Sequence, residues 1–377
     1  MVDHQHKTYF PGLNSLRFLA ATLVIIFHTE SFKRYFPLSY HLSEYQFIEN
    51  FGKMAVNFFF VLSGYLITYL LIREKKKHQK IFIRDFYLRR ILRIWPIYFI
   101  VLALSGVCSI FFLSSPEPFN PRTTLLNLLI FPNISGFFGQ NLLLRHLWSI
   151  GIEEQFYILW PLLLGYFRSI LKTCTYFISF FILLNLGIWT IYKLEALDRD
   201  ILISSLRFLQ AIRMHCLVIG ALGAYLFYQK HFLLSFIYHP AVQVFNYALT
   251  LTLLFTNIKF PAINNEIYCF LFLIMILNIS TNPKSIFKLE YRFSGFLGRI
   301  SYGMYMYHSF AVYLTLYLFS SIFNNGLDNR FDNFLCHTLA LSITIAMASF
   351  SYYFIERTFL RIKNQYSKVN SQTEASS

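Results

Sequence analysis

The stretch LNSLRFLAATLVIIFHTE, residues 13–30, has the apolar character of a membrane-spanning helix but contains an arginine and a histidine. Ionisable side chains inside a span cost about 2.5–3.5 kcal/mol each on insertion scales, and they usually have a function. Arg17 and His28 are 11 residues apart, which on an α-helix is close to three whole turns, or about 16 Å. The spacing therefore predicts that both side chains lie on one face of the helix, at different depths.

The same two residues also have a structural interpretation. The long side chain of Arg17 can extend back to the membrane surface. His28 can form a hydrogen bond to a neighbouring helix. The stretch alone does not distinguish these roles from a functional one.

The whole chain has the composition of a membrane protein. Of its 377 residues, 56% are hydrophobic and 14% are charged, and the mean hydropathy is +0.49. Apolar runs recur at about the 20-residue length that crosses the hydrocarbon core. We therefore expect an all-α integral membrane protein with a bundle of about ten transmembrane helices. The expected spans are 13–31, 54–72, 94–113, 147–167, 174–192, 214–229, 240–257, 267–281, 300–323 and 334–355.

The basic residues indicate the topology of this bundle. The net charge is +15, but the basic residues lie between apolar runs, so a nucleic-acid partner is not expected. With the N-terminus inside, the inner segments carry roughly twice as many Lys and Arg residues as the outer ones, which favours cytoplasmic N- and C-termini. An apolar piece at 123–138 contains Pro132 and Gly136, and we expect it to be interfacial or re-entrant.

The linkers leave no room for a soluble domain. We expect a cytoplasmic leader at 1–12, a single membrane domain at 13–360 and a disordered cytoplasmic tail at 361–377. A cleavable signal peptide is not expected, because Arg17 interrupts the first apolar run. The five cysteines form no C-x-x-C pair, so neither disulfides nor a metal site are expected.

An arginine cluster lies in FYLRRILRIWPIYF, residues 86–99. Arg89, Arg90 and Arg93 come where the third span begins on its expected cytoplasmic side. Residues three apart share a helix face, and guanidinium groups suit phosphate recognition. The alternative is that these arginines only set the topology or contact lipid headgroups.

Two adjacent carboxylates lie in HLWSIGIEEQFYILWPLLL, residues 146–164. The side chains of Glu153 and Glu154 point about 100° apart, so at most one of them faces a given site. Tyr157 is one turn from Glu153 on the same face. A structural ion pair is the alternative role for either carboxylate. His308 lies within the ninth span. Glu356 lies at the inner end of the tenth, next to a basic inner surface, where a structural role is expected.

In their order, these motifs resemble the acyltransferase-3 family of membrane enzymes, which O-acylate cell-surface carbohydrates. The matching stretches are LNSLRFLAATLVIIFH, FFFVLSGYLI, FYLRRILRIWPIY, LWSIGIEEQFYILWPLL, ISYGMYMYHSF and SYYFIERTF, which together extend over 13–360. The chain departs from the family at Asn57, where members often have an aspartate. It also lacks room for the appended extracytoplasmic SGNH domain of many members, so such a module would have to be a separate partner.

The resemblance implies the transfer of an acyl group, above all acetyl, to a carbohydrate hydroxyl in the inner (cytoplasmic) membrane. The implied donor is cytoplasmic acyl-CoA, with no permanently bound cofactor. The implied acceptor is a cell-surface or lipid-linked sugar such as lipopolysaccharide O-antigen. The expected catalytic residues are His28, as general base or acyl carrier, and Glu153, which would orient it. The remaining expected site residues are Arg17, Arg89, Arg90 and Arg93 for acyl-CoA, and Ser63, Trp148, Tyr157 and His308 for the acceptor or for support.

Two alternatives stay open at this point. The same fold could use another acyl group or acceptor, such as succinyl, a peptidoglycan sugar or a secreted glycoside. A membrane bundle with intramembrane charges also suits a non-catalytic transporter of a lipid-linked sugar.

Overall fold

The computed structural model is helical, and the residues it describes contain no β-strand. The described residues are 9–36, 46–111, 120–139, 141–167, 169–194, 199–210, 212–256, 258–260, 262–322 and 330–367.

Sixteen α-helices follow one another along these described residues. The first part contains α1 (Leu13–Lys33), α2 (Gln46–His78), α3 (Ile83–Phe111), α4 (Pro121–Leu128), α5 (Pro132–Ser135) and α6 (Trp148–Tyr166). The second part contains α7 (Ile170–Lys193), α8 (Arg199–Gln210), α9 (Met214–Tyr228), α10 (Leu233–Ile237), α11 (Pro240–Phe255), α12 (Asn264–Thr281), α13 (Arg292–Arg299), α14 (Ser301–Ile322), α15 (Arg330–Ser351) and α16 (Arg357–Gln365). Two 3₁₀ segments, Gly136–Phe138 and Leu142–Leu147, precede α6, and a π-helical turn, Tyr352–Glu356, joins α15 to α16.

Each predicted span coincides with one of these helices. Six helices among the described residues are long and apolar enough to cross a membrane, and they identify a multi-pass membrane protein. These are Leu13–Lys33, Phe47–His78, Ile83–Ile110, Ile170–Lys193, Asn264–Thr281 and Arg330–Gln365. The helices α9 and α11 are apolar but shorter. The number of ten crossings and the cytoplasmic position of both termini stay predictions.

The segment predicted to be interfacial or re-entrant consists of short, broken helices, α4 and α5. Its polar groups are bonded to neighbouring helices: the Tyr98 hydroxyl donates to the Asn127 carbonyl at 2.8 Å, and the Gln155 amide donates to Asn133 at 3.0 Å. Such irregular backbone requires protein packing at membrane depth. The segment is packed in this way against α3 and α6.

The helices α2 and α9 pack closely through glycines. A Cβ atom on Gly64 would lie 1.8 Å from the carbonyl oxygen of Leu217, and one on Gly220 would lie 1.9 Å from that of Val61. Small residues allow helix backbones to approach each other in this way. The contact fixes the part of α2 that carries Ser63, the neighbour of Gly64.

The end of the chain is helical for longer than the sequence predicted. The expected tail began at 361, whereas α16 continues to Gln365. The Arg89 guanidinium donates to the Tyr366 carbonyl at 2.7 Å, which fastens this end to α3. The rest of the predicted tail, 368–377, and most of the predicted leader, 1–8, lie outside the described residues.

Candidate active site

A cavity of about 270 Å³ lies between α1, α2, α3, α6 and the helices at the end of the chain. Cationic side chains outnumber carboxylates among the described residues that line it. The cations are Arg17, Arg89, Arg90, Arg93, Arg299 and Lys363, and the carboxylates are Glu74, Glu153 and Glu356. Enclosed cations that exceed their counter-charges favour an anionic ligand.

Close helix packing brings the separate cations together. Gly298, at the end of α13, allows close contact with α1, because a Cβ there would lie 2.1 Å from the Asn14 carbonyl oxygen. The Asn14 side chain in turn accepts a hydrogen bond from Arg17 at 2.9 Å. Arg299 and Lys363 also line the cavity and were not predicted as site residues, because the sequence indicates only basic charge on the inner side for their segments.

The three arginines of α3 differ in how they are held. Arg89 donates to Glu74 at 2.9 Å and to the Tyr366 carbonyl at 2.7 Å, so it supports the fold as well as lining the cavity. Arg90 lies over the Tyr157 ring, 5.9 Å from its centroid. The buried Nε of Arg90 has no hydrogen-bond partner among the described residues, so Arg90 keeps bonding capacity for a ligand.

A chain of hydrogen bonds crosses the cavity wall from α2 to α6. The Tyr157 hydroxyl donates to the Glu153 carboxylate at 2.7 Å, and the hydroxyls of Ser63 and Tyr157 are 2.5 Å apart. Glu154 instead accepts a hydrogen bond from the Trp95 indole at 3.1 Å. This confirms the expectation that only one of the adjacent carboxylates faces the site.

Glu356, for which a structural role was expected, lines the cavity, and its carboxylate accepts a hydrogen bond from the Ser351 hydroxyl at 3.5 Å. It belongs to the π-helical turn that also brings Tyr352 to the cavity. Turns of this kind occur often at functional sites. The sequence carries no signal for the extra residue in the turn.

The two predicted histidines do not line the cavity. His28 contacts His308, with ring centroids 4.6 Å apart, and His308 contacts His146 at 4.7 Å. Glu153 instead accepts a hydrogen bond from Tyr157, and His28 contacts Val24 and His308, so the expected orientation of His28 by Glu153 is not formed. His146 had not been predicted, although it is the first residue of the stretch 146–164.

An aromatic contact connects the cavity to this histidine cluster. Phe59 and Tyr305 both line the cavity, and their ring centroids are 6.1 Å apart. The Tyr305 ring lies 5.6 Å from that of His308, and its hydroxyl donates to the His146 carbonyl at 2.8 Å. The cluster therefore lies directly behind the cavity wall.

Trp148 also lies away from the cavity lining. The Arg213 guanidinium lies over its ring at 5.1 Å from the centroid. Arg213 also donates to the side-chain oxygen Oδ1 of Asn57 at 3.4 Å, and the Asn57 side-chain amide donates to Asn265 at 3.0 Å. The neutral side chain of Asn57 thus supplies the acceptor for Arg213 at the position where the family often has an aspartate.

No group of three or more His, Cys, Asp or Glu side chains in the described part of the chain has an arrangement suited to a metal ion.

The fold and this cavity define a multi-pass membrane protein with an enclosed, cation-rich site next to buried histidines. The chain belongs to the acyltransferase-3 family, whose acyltransferase domain matches residues 10–356. It is 29% identical to the peptidoglycan O-acetyltransferase OatA of Listeria monocytogenes, over 93% of this chain and 56% of that protein. It is 26% identical to the O-acetyltransferase OatA of Staphylococcus aureus, over 92% of this chain and 57% of that protein.

A shorter match covers part of the chain. It is 34% identical to the putative peptidoglycan O-acetyltransferase YrhL of Bacillus subtilis, over 45% of this chain and 26% of that protein. The chain thus spans little more than half the length of the OatA proteins that it matches. No solved structure matches it.

Proposed function

We propose that this protein is an O-acetyltransferase of the cytoplasmic membrane, which moves an acetyl group from acetyl-CoA to a hydroxyl of a peptidoglycan sugar. The names of the relatives support peptidoglycan as the acceptor, rather than the O-antigen expected from the sequence. The cationic cavity is the single observation that supports the donor, because its lining cations outnumber its lining carboxylates.

The donor phosphates suit the cationic part of the cavity. Coenzyme A carries several phosphate charges at one end, and arginine forks recognise phosphate through paired hydrogen bonds. Arg90, with its unpartnered Nε, and two other cations of the cavity lining, Arg93 and Lys363, would hold these phosphates. The cations come from both α3 and α16, so the two helices would close on the bound nucleotide.

The thin pantetheine arm suits the apolar part of the cavity. Its walls are formed by side chains of α1 and α2, including Leu13, Val56, Phe60 and Leu66. The arm would lead the thioester past the Ser63–Tyr157–Glu153 chain. The Tyr157 hydroxyl donates its single proton to Glu153, so in its bond with Ser63 it can only accept. Each hydroxyl of the chain therefore donates toward the Glu153 carboxylate.

The reaction needs a base for the acceptor hydroxyl and an acid for the departing sulfur. The hydroxyl oxygen attacks the thioester carbon, a C–O bond forms and the C–S bond breaks. The hydroxyl proton is taken by a base and delivered to the coenzyme A sulfur. Imidazole suits this exchange near neutral pH, and His28 would be the base. Because His28 is half-buried and does not line the cavity, the acceptor hydroxyl would approach from the His28 side and meet the thioester at the aromatic wall.

The test is acetyl transfer by the purified chain in lipid nanodiscs. Labelled acetyl-CoA and a soluble peptidoglycan fragment are supplied, and the acetylated fragment is measured. We expect transfer by the wild type, and a weaker affinity for acetyl-CoA, by about tenfold or more, in Arg90→Ala, because a hydrogen bond to a charged group contributes about 1.5–3 kcal/mol.

Arg84→Ala is the matched control. Arg84 is an exposed arginine on the same helix and does not line the cavity. Its replacement should leave the affinity for acetyl-CoA unchanged. Equal affinities in Arg90→Ala and the wild type would contradict the proposed donor site. A wild type that binds acetyl-CoA but consumes none with any glycan would contradict the proposed reaction.

A further inference from the structure

The three histidines behind the cavity come from different parts of the chain but form one cluster, in which His28 is half-buried and the other two are buried. His28 belongs to α1, His146 to the 3₁₀ segment before α6, and His308 to α14. His308 contacts both of the others, with ring centroids 4.6 and 4.7 Å apart. His146 and His308 are 1% and 0% exposed, so whatever they exchange protons with must lie within the cluster or its immediate neighbours.

The Nδ1 partners fix the protonation of two of these rings. Nδ1 of His28 is 2.9 Å from the Val24 carbonyl oxygen, and Nδ1 of His308 is 2.6 Å from the Tyr305 carbonyl oxygen. A carbonyl only accepts, so each Nδ1 must carry its proton. In the neutral rings, Nε2 of both His28 and His308 is therefore left as a base.

His146 differs, because its Nδ1 faces a hydroxyl. The Ser309 hydroxyl lies 2.9 Å from this nitrogen and can donate or accept. His146 can therefore adopt either neutral tautomer and supply either a proton or a lone pair at Nε2.

Two nitrogens of the cluster are buried without partners. Nε2 of His146 and Nε2 of His308 make no hydrogen bond within the described residues. An unpaired buried polar atom costs about 1–3 kcal/mol, so its retention calls for a function. The distances between ring centroids put ring nitrogens of neighbouring histidines within reach of hydrogen bonding after small rotations.

The cluster also lacks the usual carboxylate partner. No hydrogen bond or ion pair of a described Asp or Glu side chain reaches these three histidines. A lone imidazolium buried in apolar surroundings is costly. A neighbouring neutral imidazole can accept a hydrogen bond from an imidazolium and so share its charge. His308 can do this for His28, and His146 can do it for His308.

We propose that His28, His308 and His146 act as one unit that holds a single proton during acyl transfer. This inference rests on the proposed function. His28 takes the acceptor hydroxyl proton as the C–O bond forms and the C–S bond breaks. The proton is shared among the Nε2 atoms, and His28 returns it to the coenzyme A sulfur, so no net proton is consumed. His308 and His146 are positioning residues that stabilise charged His28.

The first test replaces His308 with asparagine. Its amide can still donate to the Tyr305 carbonyl, which preserves the structural bond, but it cannot share a proton. We expect His308→Asn to lower kcat by about tenfold or more, within the range for acid–base residues, with the affinity for acetyl-CoA within twofold of wild type. Wild-type kcat in this variant would overturn the proposal.

The second test uses free imidazole with His146→Ala, in the full chain in nanodiscs. Added imidazole can occupy the space that the ring leaves and restore the missing base. We expect it to recover at least about a tenth of the lost activity. A loss of activity that imidazole does not restore at any concentration would overturn the proposal.

His215→Ala is the matched control for imidazole. His215 is equally buried, at 3% exposure, but lies 3.0 Å from Glu266 in a separate cluster. Any activity lost in this variant should not return with imidazole, and recovery there would overturn the assignment to the cluster. Failure of the proposed function is seen separately, because the wild type itself would then transfer no acetyl group.

Discussion

The two ends of α1 differ in how their charges are balanced. At the Lys33 end, Glu30 accepts hydrogen bonds from Lys33 at 2.5 Å and His337 at 2.6 Å, and Lys33 also bonds to Asn333. At the Leu13 end, Arg17 faces a cavity in which cations exceed carboxylates. The ion pairs at the Lys33 end join α1 to α15. The excess of cations at the Arg17 end instead leaves positive charge that an anionic ligand can balance.

The largest expected effect comes from breaking the paired end. Glu30→Ala leaves Lys33, which is 0% exposed, without its carboxylate. Removing one member of a buried pair costs about 3–5 kcal/mol, so the free energy of unfolding should fall by about that amount. Denaturant titration in mixed micelles measures it. The double variant Glu30→Met with Lys33→Met should recover most of the loss, because it leaves no unpaired charge.

The control for this prediction is an exposed ion pair. Glu49 and Lys53 pair at the surface of α2, with 44% and 54% of their side chains exposed. Glu49→Ala should change the free energy of unfolding by about 0–1 kcal/mol. If Glu30→Ala lowers the free energy of unfolding by no more than Glu49→Ala does, the ion pairs of Glu30 do not stabilise the fold.

A smaller effect, in binding rather than stability, is expected at the cavity end. Arg17→Met removes a cation from a site with excess positive charge, so the fold should not lose stability. The affinity for acetyl-CoA should fall by about tenfold or more, because a charged hydrogen bond contributes about 1.5–3 kcal/mol. Equilibrium binding of the labelled donor in nanodiscs measures this effect.

Arg34→Met is the control on the same helix. Arg34 is exposed and donates to Ser31 at the opposite end of α1. Its loss should leave the affinity for the donor unchanged. If Arg17→Met instead unfolds the protein and Arg34→Met does not, Arg17 has the structural role that the sequence left open.

Features that depend on helix phase were predictable from the sequence. The alternation that sends Glu153 to the cavity and Glu154 to Trp95 follows from the 100° rotation per residue. The shared face of Arg90 and Arg93 follows in the same way. Such features need only the local geometry of one helix, which the hydrophobic pattern already indicates.

Features that depend on which helices meet were not predictable. His146 enters the histidine cluster, through its contact with His308, only because the 3₁₀ segment before α6 packs against α14. Lys363 lines the cavity only because the end of α16 packs against α3. The position of Glu356 depends on the π-helical turn that follows α15 and changes the helix phase before α16. These arrangements come from tertiary packing, for which a single sequence gives no distances.

The smallest expected effect concerns the hydroxyl of Tyr157. Tyr157→Phe keeps the ring beneath Arg90 but removes the link between Ser63 and Glu153. A typical hydrogen bond contributes about 0.5–1.5 kcal/mol, so kcat should fall by roughly two- to tenfold with the donor affinity unchanged. Tyr87→Phe is the control, because that hydroxyl donates to the Ile158 carbonyl outside the cavity lining. If both variants lower kcat equally, the effect reflects general packing of α6. A loss confined to Tyr157→Phe assigns the hydroxyl chain to catalysis and leaves phosphate binding to the arginines.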